Sequence, residues 1–511
     1  MSASTERKNR AAAIEAGTDK KTLARQEAEK KAAKSRRRWT IGTILVAILL
    51  VVIILLNTGF LYRNTTAATV GTRRVSPTEL SYYYINQYTS FLNQYGSYAS
   101  LFGLDTSKGL ASLAEQPCSM TEDGSWRDYF MEQALNGLQQ VSALKAYAEQ
   151  QGISLDADEL AEIDADLQNA KLNAKANGYS GLDNYLAAQY GEGMNARQIR
   201  QYVIDGSLAS KGLSAFTDSL EFSDAELEEY YASLNGERDY FDYDYYYVAA
   251  GKGEDDSVSE NALLEARMTA EAIETAYKDG ADIADFSERF AAALEAEDDA
   301  ASPVQRRSAS GTGLGDMSEW LRDSARKAGD VGVQKDSSDA GYYVALFLGR
   351  EDNHYPTVSV RHILIKAVAG EDGSYSDEAK QAALDRINEI KAEFEAGDKS
   401  EQSFAALAEQ YSEDGGSNTN GGLYENIYKG QMVSEFNDFC FAGHKSGDYA
   451  VVYGESGSYA GYHLVYFVGE GENYSSVIAR DALSDKATDE FLHEQTEPFE
   501  TALRYWSKLV G

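Results

Sequence analysis

The sequence contains few of the residues that carry redox, metal or nucleotide chemistry. Only two cysteines, Cys118 and Cys440, occur among its 511 residues, so they cannot form a disulfide framework. It has no CxxC pair, no HExxH helix, no phosphate-binding glycine loop and no dinucleotide fingerprint. We therefore expect neither a metal site nor a cofactor.

Proline and histidine are also scarce, with five of each in the chain. So few prolines argue against a disordered proline-rich protein, and the 43% hydrophobic and 25% charged content is ordinary for globular domains. A chain of this length is too long for one hydrophobic core, so several domains are expected.

The start of the chain carries a net positive charge, whereas the rest of the chain is strongly acidic. Residues 1–38 carry a net charge of +7, which leaves −42 for the rest of a chain whose total is −35. A strongly acidic body is unsuited to nucleic acid, whose phosphates it would repel. Nucleic acid is therefore excluded as a partner.

An uncharged apolar run follows the basic segment. It extends from Ile41 to Leu56 and continues more weakly to Leu61, close to the roughly 20 residues that cross a bilayer as a helix. The basic flank predicts a cytoplasmic N-terminus. We predict a basic cytoplasmic tail (1–38) and a transmembrane signal anchor (39–61), with the bulk outside the cell membrane. A cleaved signal peptide is the alternative.

Beyond this run, the sequence divides into a helical part and a repeated part. Apolar residues three or four positions apart predict helices throughout 62–236. After residue 240 the pattern changes to strands and helices, and GYYVALFLGRED at 341–352 matches GYHLVYFVGEGE at 461–472 position for position. Two further pairs of similar segments precede these closing strands in the same order. Segment 285–298 of the first copy resembles 402–414 of the second, and 318–323 resembles 434–439. The sequence therefore predicts an internal duplication.

Two histidines distinguish the second copy from the first. His362 lies in the apolar run VSVRHILIKA, where alternation places it on the same strand face as Val360 and Leu364. The first copy has Tyr245 and Tyr343 where the second has His362 and His463. A histidine needed only for folding would be needed in both copies. The pair is therefore assigned to function, and no catalysis is expected from the first copy.

Six short motifs occur in order in the second copy: RHILI, FxxLAxxYSxD, GG, GQMVxEF, SGD and GYHLV. The ordered set resembles the parvulin family of peptidyl-prolyl isomerases over residues 355–471. The resemblance implies an α+β domain, a four-stranded antiparallel sheet surrounded by helices. It also implies that His362 and His463 face each other on adjacent strands, with Asp414 beside them as the third catalytic residue.

The same resemblance implies a substrate pocket. Met432 and Phe436 fall at the apolar floor that takes a proline ring, and Leu423 is added as a substrate contact from the neighbouring loop. Rotation about an X–Pro bond needs no nucleophile, because no bond breaks, although its barrier is about 18–20 kcal/mol. The family's GGDLG is replaced here by Gly421 to Glu425, GGLYE, which lacks the acid and the final glycine.

The chain as a whole is similar to foldases of the PrsA and SurA type. This implies a helical chaperone domain (62–236), a degenerate parvulin-like domain (237–352), an isomerase domain (355–471) and a C-terminal helix packed on the helical domain (472–511). The predicted function is prolyl isomerisation and chaperoning of exported polypeptides, with unfolded X–Pro segments as partners. The alternatives are a holdase whose copies only grip clients, and an envelope protein that docks one fixed partner. Oligomeric state stays open.

Overall fold

The computed structural model describes residues 3–16, 20–121, 124–253, 256–278, 304–370, 373–457 and 459–510. The chain forms two compact units. The helical unit comprises Met1–Leu220 with Ala487–Gly511, and the sheet unit comprises Glu221–Lys486. The 285–298 segment that figured in the predicted duplication lies outside the described residues.

The helical unit consists of helices and three very short strands. Its helices are α1 (Ala3–Glu15), α2 (Lys20–Asn57), α3 (Phe60–Asn64), α4 (Pro77–Tyr95), α5 (Trp126–Gln150), α6 (Ala157–Ala176), α7 (Leu182–Tyr190) and α8 (Ala196–Thr217). Its strands are β1 (Ala68–Val70), β2 (Arg73–Val75) and, from the end of the chain, β11 (Thr501–Leu503). Capping boxes start two of the helices, because Ser125 and Asp156 each accept from backbone N–H groups of the following turn.

The prediction of a transmembrane signal anchor at 39–61 is wrong. In the described part of the chain, no helix has a long enough apolar stretch to cross a bilayer. The apolar segment belongs to α2, which already begins at Lys20 in the basic tail. The same finding contradicts the predicted localisation as a single-pass membrane protein.

Aromatic side chains fill the core of the helical unit. Trp126, Phe130 and Tyr84 are almost completely buried between α4 and α5, and Phe91 packs against them at ring-centroid distances of 5.1 to 5.6 Å from Trp126 and Phe130. Beside this core, β1 pairs with both β2 and β11 in a three-stranded antiparallel sheet. The helix expected over 472–511 ends at Thr496, since Pro498 cannot continue a helix, and the chain then forms β11 and a short 3₁₀ helix at Tyr505–Leu509.

The sheet unit contains two four-stranded antiparallel sheets of the same topology. The first, ordered β4-β3-β6-β5, is built from β3 (Tyr240–Ala249), β4 (Gln305–Ser310), β5 (Val331–Lys335) and β6 (Gly341–Glu351). The second, ordered β8-β7-β10-β9, is built from β7 (Pro356–Lys366), β8 (Leu423–Ile427), β9 (Tyr449–Ser456) and β10 (Tyr459–Asn473). The accompanying helices are α9 (Asp224–Ser233), α10 (Glu260–Lys278), α11 (Ser318–Arg322), α12 (Asp377–Ala396), α13 (Glu401–Tyr411), α14 (Ser434–Cys440) and α15 (Tyr474–Thr496).

The strand registers repeat between the two sheets. Tyr245 pairs with Ala345 in the first sheet, and His362 pairs with Val465 in the second, 120 residues along the closing strand. The closing strands also carry a bulge at equivalent positions, Leu348 and Val468. The described parts of the two copies are therefore built on one plan, and Tyr245 occupies the place of His362.

Each face of the second sheet has its own core. On one face, residues of α12 and α13 such as Ile387, Phe394 and Phe404 pack against Ile363 and Leu464. On the other face, α14 packs against alternate residues of the two central strands: Val358, Val360, Val465 and Phe467. His362 and His463 follow the same alternation and therefore lie on the α14 face.

Candidate active site

The two histidines meet across the two central strands. The Nδ1 atoms of His362 and His463 are 3.0 Å apart, and their rings are nearly parallel with centroids 5.2 Å apart. Both side chains are almost fully buried, at 3% and 4% exposure. A contact this short between two ring nitrogens is a hydrogen bond, in which one nitrogen carries the proton and the other accepts it.

Asp414 reaches His362 from the turn after α13. This turn is held on β7 because Glu413 N donates to Leu364 O at 2.9 Å, while Leu364 N donates to Ser412 Oγ at 3.2 Å. Asp414 Oδ2 then lies 3.0 Å from His362 Nε2. The three residues predicted to be catalytic therefore form one hydrogen-bonded chain.

Ser417 is a fourth member that the sequence analysis missed. Its hydroxyl donates to Asp414 Oδ2 at 2.6 Å and lies 3.0 Å from His362 Nε2, and its side chain is fully buried. The signal was present in the YSEDGGS segment, because a serine three residues after an aspartate can bond back to it across a turn.

The paired glycines let the chain pass directly over the site. Gly422 has φ of +72°, and a Cβ there would lie 2.2 Å from His362 O. Its carbonyl accepts from His362 N at 2.8 Å, which fixes the backbone of the histidine. Gly454 plays a similar part on β9, where a Cβ would lie 2.7 Å from His463 Nε2. Gly422 therefore lets the loop approach the backbone of His362, and Gly454 leaves room for the imidazole of His463.

An aromatic floor lies directly under the histidine pair. The buried Phe436 ring is perpendicular to both imidazoles, with its centroid 5.5 Å from that of His362 and 5.2 Å from that of His463. Met432 and Val433 are half-buried and pack in the same cluster. Two of the three predicted substrate contacts, Met432 and Phe436, are therefore at the site.

The structure does not bring the third predicted contact, Leu423, to the site. Leu423 pairs with Arg361, whose side chain is on the sheet face opposite to His362. The next residue, Tyr424, pairs with Val360 on the histidine face, and its hydroxyl donates to Asp414 Oδ2 at 3.1 Å. A one-residue difference in strand register exchanges the two side chains, and that register was not readable from the sequence.

Hydrogen bonding and burial set the charges of Asp414 and His463 in this row of hydrogen bonds. The hydrogen bond from His362, with those from Ser417 and Tyr424, holds the pKa of Asp414 well below its usual range against the opposing effect of burial. Burial, with a smaller contribution from His362, lowers the pKa of His463 to about 3. At neutral pH, Asp414 is therefore a carboxylate and His463 is uncharged.

The pKa of His463 predicts how stability depends on pH. An unfolded histidine gains its proton near pH 6.5, whereas folded His463 stays neutral down to about pH 3, so stability is lost as the pH falls below 6.5. We expect this residue to account for a loss of about 2 kcal/mol between pH 7 and pH 5. Urea unfolding of the wild type and His463→Gln at both pH values measures it, since the many carboxylates are common to both proteins. Equal losses in the two proteins would contradict the expectation.

The buried thiol near this site is not activated as a nucleophile. Burial raises the pKa of the Cys440 thiol to about 12, so it stays protonated under the aromatic floor. Within the described ranges, no three side chains of the His, Cys, Asp or Glu type are grouped to hold a metal ion. The arrangement offers an apolar floor and a polarised hydrogen-bond chain above it.

The corresponding place in the first copy is built differently. Tyr245 and Tyr343 replace the histidines with ring centroids 6.1 Å apart, and Tyr245 donates to Gln305 at 2.6 Å. Trp320, at the position matching Phe436, lies against Gly332, where a Cβ would be 2.3 Å from its Nε1.

Comparison with known families agrees with this site. Residues 342–468 match the PPIC-type PPIASE domain, which covers about a quarter of the chain, from the last strand of the first copy to the last strand of the second. This part of the chain is therefore a parvulin-type peptidyl-prolyl isomerase domain, and the prediction of that family from the sequence is confirmed. No curated protein matches the chain significantly.

The chain is also similar to solved structures of bacterial foldases and chaperones. The peptidylprolyl isomerase PrsA of Bacillus anthracis is 25% identical over 28% of this chain and 60% of its own, with a TM-score of 0.18. The foldase protein PrsA of Streptococcus pneumoniae is 14% identical over 74% and 86%, with a TM-score of 0.21. A SurA-like chaperone of Campylobacter jejuni is 14% identical over 67% and 92%, with a TM-score of 0.16. The assignment given above is based on the family match.

Proposed function

We propose that the protein is a peptidyl-prolyl cis/trans isomerase that assists the folding of other polypeptides, and that its second copy is the catalytic one. The observation that carries this is the chain His463–His362–Asp414, held directly over the Phe436 ring. The family match to residues 342–468 supports the reaction.

The floor would hold the proline ring. Phe436 presents an aromatic face, and the partly exposed side chains of Met432 and Val433 stand beside it. Apolar contact of this kind binds the ring without fixing the peptide bond that precedes it. The X–Pro bond would then lie next to the imidazoles, where its rotation takes place.

The hydrogen-bond chain would act on the peptide's electrons without forming a covalent bond. Amide resonance creates the barrier to rotation, and an environment that favours the twisted amide over the planar one lowers it. Fixed dipoles in a site shielded from water do this at little reorganisation cost. Asp414 already accepts three hydrogen bonds and is held as a carboxylate, so its part is to orient His362 and not to attack the substrate.

The first copy contributes no catalysis in this proposal. It has tyrosines in place of both histidines, and Trp320 fills the position of the floor. The first copy would bind the same partners as the whole protein, namely unfolded or partly folded polypeptides with X–Pro bonds. The duplicated architecture allows one chain to hold a client at one copy while the other isomerises it.

Exchange spectroscopy on proline peptides tests which copy is active. We expect the full chain to accelerate cis/trans exchange of an Ala-Pro peptide, which takes tens to hundreds of seconds unaided. His463→Ala in the second copy should remove most of the acceleration, whereas the equivalent first-copy change, Tyr343→Ala, should leave it intact. Folding of both variants is checked by circular dichroism.

The outcomes separate the competing functions. If the acceleration survives His463→Ala and disappears with Tyr343→Ala, catalysis belongs to the first copy, and the assignment to the second copy is refuted. Absence of acceleration from the folded wild type would refute isomerisation, and a binding protein without catalysis would then be favoured. A binding protein of this kind would be tested by measuring whether it suppresses the aggregation of an unfolded client.

A further inference from the structure

Two tyrosines stand at the ends of the histidine–aspartate chain. Tyr424 donates to Asp414 Oδ2 at 3.1 Å, and the hydroxyl of Tyr459 lies 3.1 Å from His463 Nε2. Neither was singled out as a functional residue from the sequence. Their positions matter because the ends of a hydrogen-bond chain decide in which direction its internal protons point.

Tyr424 occupies the altered loop where the sequence departs from GGDLG. It lies on β8 opposite Val360, and its ring centroid is 5.2 Å from that of His362. Gly416 leaves room for it, because a Cβ at that position would lie 3.1 Å from the tyrosine hydroxyl. One side chain thus contacts both the imidazole and its carboxylate partner.

Tyr459 holds the other end from within β10 itself. It precedes His463 by four residues, so both side chains are on the same strand face. Burial, with a smaller contribution from the Asp414 charge, raises the pKa of Tyr459, and the same two causes raise that of Tyr424. Both hydroxyls therefore keep their protons at neutral pH and are available as donors.

When each imidazole carries one proton, the hydrogen-bond partners allow only one arrangement of those protons. The Asp414 carboxylate can only accept, so His362 Nε2 carries a proton and His362 Nδ1 is left as an acceptor. His463 Nδ1 must then donate to it, which leaves His463 Nε2 as the acceptor for the Tyr459 hydroxyl. Every hydrogen bond in the chain is satisfied, from Tyr459 to Asp414.

We propose that Tyr424 and Tyr459 are positioning residues of the isomerase site, whose hydroxyls stabilise the tautomers of His362 and His463 that the Asp414 carboxylate selects. Tyr424 holds Asp414 in line with His362 and supplies a polar group in a loop that lacks the family's acid. Tyr459 holds His463 with Nε2 as acceptor. This inference rests on the proposed function for its catalytic consequence, but the tautomers themselves are independent of it.

The tautomers can be measured directly by NMR of the full chain labelled with ¹⁵N-histidine. Only five histidines contribute signals, and His362→Gln and His463→Gln assign the two of interest. We expect a protonated Nε2 on His362 and a protonated Nδ1 on His463 at pH 7. In Tyr459→Phe, the two nitrogens of His463 should move towards intermediate shifts, because the acceptor has lost its donor. Unchanged His463 shifts in that variant would overturn the proposal.

Kinetics test the catalytic consequence. Loss of one hydrogen bond to a charged or polarised group should lower kcat/KM about tenfold in Tyr424→Phe and in Tyr459→Phe. Either change also raises the basicity of the group that lost its donor, so the acid limb of the pH profile should move to higher pH. Tyr462→Phe is the matched control, because Tyr462 neighbours His463 but packs on the opposite face.

The possible failures are distinguishable. If the wild type is active and both variants retain its kcat/KM and pH profile, the positioning role is refuted while the isomerase function stands. If activity falls equally in the Tyr462→Phe control, the effect is structural and the proposal is likewise refuted. If the wild type is inactive, the proposed function fails, and the tautomer measurement alone then decides whether the hydroxyls fix the imidazoles.

Discussion

Replacing His362 by alanine is expected to lower kcat/KM for X–Pro isomerisation by about 100-fold. His362 is the centre of the site, because its two ring nitrogens contact His463 on one side and Asp414 and Ser417 on the other. Its removal leaves the carboxylate without the donor that orients it and leaves His463 without an acceptor. The remaining activity would come from binding on the Phe436 floor.

The measurement is exchange NMR at several peptide concentrations, which separates kcat from KM. We expect most of the loss in kcat, since the floor that binds the proline ring is unchanged. His444→Ala is the control, because His444 belongs to the same domain but pairs with Asp448 at a distance from the chain of hydrogen bonds. A loss of less than threefold from a folded His362→Ala protein would show that the imidazole pair is not central to catalysis.

Replacing Asp239 by alanine is expected to destabilise the sheet unit by about 3 kcal/mol. The side chain is fully buried and accepts from two groups: the Tyr231 hydroxyl at 2.5 Å and the Arg350 guanidinium at 2.5 Å. Asn353 extends the network by donating to the Tyr231 hydroxyl at 2.9 Å. Deleting the carboxylate leaves the partly exposed Arg350 guanidinium without its partner. It also breaks a network that joins α9, the segment just before β3, and β6.

Urea unfolding monitored by circular dichroism measures this change. Asp242→Ala is the matched control, since that aspartate lies three residues further along the chain, in β3, but is exposed, and we expect it to change stability by no more than about 0.5 kcal/mol. If the two variants unfolded at the same urea concentration, the Asp239 network would be shown to contribute nothing beyond a surface carboxylate.

The parts of the site that were predictable are those encoded by strand alternation and ordered motifs. Alternation placed His362 on an apolar strand face, and the resemblance to the parvulin family implied that His463 faces it with Asp414 beside the pair. Ser417, Tyr424 and Tyr459 were missed, because each reaches the site through a turn or a register that single-sequence patterns do not specify. Leu423 was assigned to the site in place of Tyr424 for the same reason.

The fold shows the same division. The duplication was readable because side chains repeat along the closing strands, and the described registers follow it. The pairing of β1 with β11 was not readable, because the two strands have three residues each and are more than 400 residues apart in sequence. The apolar run near the start of the chain was interpreted from composition alone, whereas the structure places it in a helix that begins in the basic tail.

The most direct test of the account is the rate of cis/trans exchange in an Ala-Pro peptide with the full wild-type chain, set beside the same measurement with His362→Ala. The account predicts clear acceleration by the wild type and its near-complete loss in the variant, with both proteins folded. No acceleration by folded wild type, or equal acceleration by both proteins, would contradict it.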